Sequence, residues 1–157
     1  MVRRGTPADA EAVARVQIES WRGAYAHLFS DEQFARISLE ERARFWRRFR
    51  PLVAEVDGEI VGFAAVGRAQ EDDADGELYA IYVRPEQWGT GVGRALMEAA
   101  EARLRELGHA GAILWVFEDN PRARRFYEAG GWKLEGHRKP FELFGMSNPV
   151  VRYAKRL

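Results

Sequence analysis

Residues 77–96 read ELYAIYVRPEQWGTGVGRAL, and their reading decides the fold. Glu77 to Val83 is an apolar run rich in β-branched and aromatic residues, which predicts a buried strand. Pro85 ends it, because proline has no N–H for a sheet ladder. Gly89-Thr90-Gly91-Val92-Gly93 follows. Backbone so rich in glycine turns tightly and leaves its N–H groups uncovered. Met97, Ala100, Leu104 and Leu107 then recur at helical spacing and predict one apolar helix face. Strand, glycine loop and helix N-terminus, in that order, aim uncovered N–H groups and a positive dipole end at a phosphate or pyrophosphate.

Upstream, Thr6 suits an N-cap and Pro7 the first helical position. Ala10, Val13, Ala14, Ile18 and Trp21 predict a helix to about Ser20. Ser30 with Gln33, and Ser38 with Glu41, are capping-box patterns that predict two further helices. The second carries Phe45, Trp46 and Phe49 on one face and Arg42, Arg44, Arg47, Arg48 and Arg50 on the other, read as a solvated face. Asp57-Gly58 between apolar runs predicts a type I′ hairpin, Leu52 to Val56 with Glu59 to Val66. Gln70 to Gly76 is a polar, acidic loop. Downstream, Gly108 suits a helix C′ position and Ala112 to Phe117 an interior strand. Asn120-Pro121 opens a last helix that Gly130-Gly131 closes. Trp132 to Lys139 and Pro149 to Leu157 predict two late antiparallel strands. The result is one α/β domain, residues 1–157, with a mixed, mostly antiparallel sheet of about seven strands flanked by helices.

Composition narrows the function. The chain has 157 residues, and a chain of roughly 150 residues buries about 70% of its unfolded surface. Acidic and basic residues balance at 24 each, so nothing global points to nucleic acid or to a membrane surface. The absence of cysteine excludes disulfides, thiolate metal sites and a cysteine nucleophile. No apolar run approaches the ~20 residues of a membrane span, and no signal-peptide segment opens the chain. A cytoplasmic protein without a metal is expected.

The loop's spacing selects among phosphate binders. A dinucleotide loop needs G-x-G-x-x-G, but counting from Gly89 puts Arg94 at the third glycine. The P-loop string G-x-x-x-x-G-K-[ST] is absent. Trp88-Gly89-Thr90-Gly91-Val92-Gly93, preceded by Ile81-Tyr82-Val83-Arg84-Pro85, resembles the [RQ]-x-x-G-x-[GA] loop of the GNAT acetyltransferase superfamily. Trp88 departs from the usual Arg or Gln. A second stretch, Asn120 to Trp132 (NPRARRFYEAGGW), is similar to that superfamily's N-x-x-A-x-x-[FL]-Y-x-x-x-G-[FW]. Both lie in the expected order, and the likeness runs from end to end.

The resemblance implies acetyl-coenzyme A as donor and a primary amine, small-molecule or peptide, as acceptor. It implies a V-shaped gap between the strands Glu77 to Val83 and Ala112 to Phe117. In it the backbone of Ile81, Tyr82 and Val83 would bond the pantetheine and thioester. Gly89, Thr90, Gly91, Val92, Gly93 and Arg94 would hold the pyrophosphate. Asn120 would bond the pantetheine arm, and Tyr127 would lie near the sulfur. An alkylamine of pKa ~10.4 is about one part in a thousand neutral at pH 7, so a base must take its proton. Glu77 or a water chain supplies that base. The Val83 N–H would steady the oxyanion, and Tyr127 would protonate the leaving thiolate. Attack in a direct ternary complex is the simplest scheme without cysteine. The other reading is a non-catalytic acyl-CoA-binding domain on the same fold. Trp21, Tyr25, His27, Phe29, Phe141 and Phe144 are expected around the acceptor; Glu71 to Asp75 reads by default as a solvated loop, with steering of a cationic amine inward as the alternative. The late strands are expected to meet a second subunit.

Overall fold

The computed structural model describes residues 1–143 and 145–157. Phe144, expected at the acceptor, lies outside them. The described elements run in the order β1 (Val2–Arg4), α1 (Ala10–Tyr25), α2 (Asp31–Ala35), α3 (Leu39–Arg48), β2 (Leu52–Val56), β3 (Glu59–Arg68), β4 (Gly76–Val83), α4 (Val92–Glu106), β5 (Gly111–Phe117), α5 (Pro121–Ala129), β6 (Lys133–Leu143) and β7 (Met146–Arg156). The strands form one seven-stranded sheet in the order β1-β2-β3-β4-β5-β7-β6. Only the β4–β5 pairing is parallel; the other neighbours are antiparallel.

Local chemistry explains the boundaries. Ser30 and Gln33 cap α2 reciprocally, and the Ser38 hydroxyl accepts from the Glu41 N–H at 3.1 Å to start α3. Asp57 and Gly58 both take positive φ, as a type I′ turn requires. Helix α1 runs past Ser20 to Tyr25 because Trp21 and Tyr25 find buried seats there. Leu107 stands 45% exposed, off the face predicted for it, because the helix ends one residue earlier and Gly108 turns the chain with positive φ. The last two strands are longer than predicted, since each pairs with the other as far as Leu143 and Met146.

The sheet divides the core. Helices α4 and α5 pack Leu96, Met97, Leu104 and Tyr127 on one face, against Leu78, Leu114 and Tyr153. Helices α1 and α3 pack Val13, Val16 and Trp46 on the other, against Val53, Phe63 and Ala65. A third, aromatic cluster of Trp21, Tyr25, Phe29, Phe34 and Phe117 continues that second face.

One irregularity sets up the site. Ala65 faces Ala80 and Val66 faces Leu78, so Tyr79 is an extra, unpaired residue in β4. Such a bulge bends its strand. Accordingly Tyr79 and Ala80 both pack on the α1/α3 face, while Leu78 and Ile81 pack on the other. The parallel ladder to β5 holds only Gly76 with Ala112 and Glu77 with Ile113, then stops where the bulge begins. Beyond that point β4 and β5 are no longer paired.

Candidate active site

The opening between β4 and β5 widens into a cavity of about 840 Å³. Its β4 wall runs from Glu77 to Val83 and its β5 wall from Trp115 to Phe117. The Arg84 N–H donates to Val61 O on β3 at 2.8 Å. Alternation along the extended strand therefore turns the N–H and C=O of Val83 and Ile81 away from β3, toward the opening. Tyr82 turns its backbone to β3 and brings its ring to the α1 side, where it meets Trp21 edge-on at 6.1 Å. The Val83 carbonyl accepts from Ser20 Oγ at 3.1 Å and from Trp88 Nε1 at 2.9 Å, which uses both lone pairs. The Val83 N–H is what remains for a ligand.

The glycine loop stands at the rim. Gly89 and Gly91 have φ of +78° and +93°, a region that side chains avoid. Ala95 is the first residue to donate within α4, to Gly91 O at 3.0 Å. The N–H groups of Val92, Gly93 and Arg94 thus have no helical acceptor. Gly93 lines the cavity, and a Cβ there would come within 3.3 Å of the Phe126 ring. Gly89 to Val92 and Arg94 lie outside the cavity lining. The Arg94 side chain pairs along the helix with Glu98 at 3.3 Å. Trp88, the residue that departs from the expected loop pattern, pins the loop to the end of β4. Its ring also carries the Arg122 guanidinium, centred 3.4 Å from the ring centroid. Nothing in the motif foretold that pairing.

Asn120 is buried and caps α5, its Oδ1 accepting from the Ala123 N–H at 3.2 Å. Tyr127, about two helical turns further along, is 8% exposed and lines the cavity. Burial pushes its phenol well above its ordinary value; nearby Tyr82 adds to this and Arg122 opposes it. It therefore holds its proton at any physiological pH. Glu77 is also 8% exposed and lines the same cavity. Burial pushes its carboxyl above the usual carboxylate range; the Gln70 N–H at 3.3 Å opposes this, Glu71 adds to it, and Lys139 and Arg152 oppose it. A carboxyl so raised is a better proton acceptor.

The acidic loop does not face the cavity as a free charge. Arg152, buried, takes Asp73 through two bonds of 2.9 Å and also engages Glu135. Lys139 pairs with Glu71 at 3.2 Å, while Asp75 takes His109 at 2.7 Å and the Ala110 N–H at 2.8 Å. Arg152 holds the Asp73 carboxyl below its usual range, and His109 does the same for Asp75. Glu71, Asp73 and Asp75 are thus held by partners elsewhere in the chain, which fits a solvated loop better than one that steers a cation inward. Among the expected acceptor residues, Trp21, Tyr25 and Phe141 line the cavity. Phe29 is buried behind them, and His27 instead reaches the Asp119 carbonyl at 2.8 Å. Arg42 and Phe45 of α3, with Phe49 just past its end, line it instead. Phe45 and Phe49 are 46% and 38% exposed and stack in parallel at 5.8 Å. Their spacing was legible, but it reads equally as core.

A loop of uncovered N–H groups, a strand edge turned into an opening, and two titratable groups in one cavity suit a donor that carries a pyrophosphate and a thioester. The model of the acetyltransferase (GNAT) family matches residues 11–132. This chain belongs to that family. GNAT enzymes take acetyl-coenzyme A as cosubstrate, and the uncovered groups described above fit it. An uncharacterised N-acetyltransferase of Bacillus subtilis, YuaI, is 32% identical over 134 residues, 82% of this chain and 77% of its own. A GCN5-related N-acetyltransferase of Rhodopseudomonas palustris has the same fold, with a TM-score of 0.80 at 23% identity over 100% of this chain and 95% of its own. The PaiA N-acetyltransferase of Thermoplasma acidophilum, solved in complex with coenzyme A, has a TM-score of 0.78 at 22% identity over 100% and 98%. Among the described residues of this GNAT chain, no group of three or more His, Cys, Asp or Glu could hold a metal ion. No described helix is long and apolar enough to cross a membrane.

Proposed function

We propose that this chain is a cytoplasmic N-acetyltransferase that moves the acetyl group of acetyl-coenzyme A onto a primary amine in a ternary complex. The observation that carries the reading is that Glu77 and Tyr127 line one cavity at the β4–β5 opening. Acetyl-coenzyme A supplies the acetyl group as a thioester. The Val92, Gly93 and Arg94 N–H groups at the α4 terminus would hold its pyrophosphate, with Arg122 and Arg125 adding positive charge. The gap-facing Ile81 and Val83 backbone, with Asn120, would hold the pantetheine. Glu77 takes the proton of the incoming amine, whose nitrogen forms the new bond to the acetyl carbon. The Val83 N–H donates to the oxygen on which charge develops. Tyr127 gives its proton to the departing sulfur, so that the carbon–sulfur bond breaks to a thiol.

A release assay for the free thiol, with acetyl-coenzyme A against a panel of amines, tests this. Release that requires an amine supports it. Tight binding of acetyl-coenzyme A with no release for any amine favours the second reading, an acyl-CoA-binding domain without catalysis. We also propose that β6 meets a second subunit, because Leu134 and Phe141 stand 49% and 46% exposed along the open edge of the sheet.

A further inference from the structure

The cavity carries a charge pattern that the family alone does not dictate. Five charged side chains line it: Arg42, Arg122, Arg125, Lys139 and Glu77. Four are cations, and Glu77 is the single carboxylate. The two faces of the sheet separate them. Arg122 and Arg125 lie on α5, beside the glycine loop and its uncovered N–H groups. Arg42 lies on α3, across the sheet, beside Phe45, and Phe49, Tyr79 and Trp115 belong to the same lining. Glu77 and Tyr79 precede and follow Leu78, which packs toward α4, so both turn to the α3 side. Lys139 is already neutralised by Glu71 at 3.2 Å and lies 4.0 Å over the Trp115 ring. Among the described residues, no carboxylate pairs with Arg42; its guanidinium lies 5.7 Å from the Phe45 ring centroid. The acidic loop does not supply one either: Glu71, Asp73 and Asp75 are each held by another partner.

We propose that the acceptor is an amino acid or a close relative: an amine, an apolar or aromatic body and a carboxylate. The inference rests on the N-acetyltransferase reading and deepens it. Glu77 receives the proton of the amine. Phe45, Phe49 and Tyr79 cover the apolar body. Arg42 takes the carboxylate in a charge-assisted, two-pronged bond. A polycationic amine is disfavoured, because the chamber offers it one carboxylate and an unpaired guanidinium.

Thiol release with acetyl-coenzyme A is measured for phenylalanine and leucine, each as free acid and as amide, and for spermidine. The amides have less basic amines, so amine chemistry alone favours them over the acids. The expected result is a kcat/KM for the free acids about ten- to a hundredfold above their amides, the range of one hydrogen bond to a charged group. In Arg42→Gln the ratio falls to about one through KM, and in Arg42→Lys part of it returns. Acetyl-coenzyme A affinity, read by calorimetry, stays at the native value, which separates a carboxylate site from a phosphate site. Amides or spermidine used as well as the free acids would overturn the proposal while leaving N-acetyl transfer in place. So would a ratio that survives Arg42→Gln, or a loss of acetyl-coenzyme A affinity in that variant. No thiol release with any of these amines overturns the carboxylate proposal alone; the transferase reading is decided separately, by the wider amine panel.

Discussion

Glu77 and Tyr127 share a cavity, yet burial pushes both upward with opposite chemical results. A raised carboxyl becomes a stronger base; a raised phenol becomes a better-guarded acid. Replacing Glu77 by Gln keeps an acceptor for the Gln70 N–H and removes the base. Turnover should fall about a hundredfold, the lower range of general-base catalysis. The limb of the pH–rate profile that rises through the raised Glu77 value should vanish with it. Stability should move the other way. A carboxyl whose folded pKa is raised contributes stability that is full at low pH and is lost as pH climbs through the raised value. Glu77→Gln should therefore melt above the native protein at neutral pH, and that advantage should shrink on acidification. Unaltered turnover would return the base role to water. Tyr127→Phe keeps the ring within the α5 cluster, so melting should change little. Turnover should drop up to about a hundredfold with acetyl-coenzyme A affinity preserved, since the lost proton is needed only in the transition state. Native turnover with a lowered melting point would make Tyr127 a packing residue alone.

At the scale of elements, the glycine loop allows a separation of strain from function. Nothing lies within 4 Å of a Cβ built on Gly91, whose φ is +93°. Gly91→Ala should lose about 1–2 kcal/mol to the left-handed backbone and still bind acetyl-coenzyme A. Gly91→Glu should lose that and also abolish binding, through bulk and like charge at the pyrophosphate; calorimetric titration of both variants decides. The loop, the N-cap at Asn120 and the order of strands and helices were legible because each is local: spacing, caps and turns need no distant partner. The β4 bulge was not, since Tyr79 is extra only relative to β3. Nor were the role of Trp88 beneath Arg122 or the partners of the acidic loop, because those contacts join residues far apart in the chain. The aromatic face of α3 misled for a related reason. Phe45, Trp46 and Phe49 share an apolar pattern, but only Trp46 of the three is buried, reaching Phe63 at 4.9 Å, while Phe49 meets Tyr79 at 5.8 Å and stays partly exposed.

Taken whole, the molecule has an outer edge and an inner seam. The outer edge is β6, whose residues from Lys133 to Glu142 are all exposed. An open strand edge offers unpaired N–H and C=O groups to a second chain. Light scattering at micromolar concentration should give the dimer mass, and Leu134→Lys should return it to a monomer; a native monomer would overturn the assembly. The inner seam is the β4–β5 ladder, only two residue pairs long. Strands β1 to β4 and strands β5 to β7 are thus two half-sheets, stitched at one end like a book at its spine. Beyond the spine, among the described residues, no ladder hydrogen bond joins the leaves. A donor whose amide-bearing arm bonds to β4 and whose other flank rests on β5 and α5 would act as a bookbinder's thread. Saturation at about a hundred times the dissociation constant adds roughly 2.7 kcal/mol, or about 5–10 °C in melting temperature for a chain of this size. Amide hydrogen exchange should report where that gain is lodged. The Ile81 and Val83 amides, which face the gap, should exchange fast in the free protein and slow on adding acetyl-coenzyme A, while the Tyr82 amide, turned to β3, should stay protected throughout. The hairpin of β2 and β3, bound on both sides already, should hardly notice.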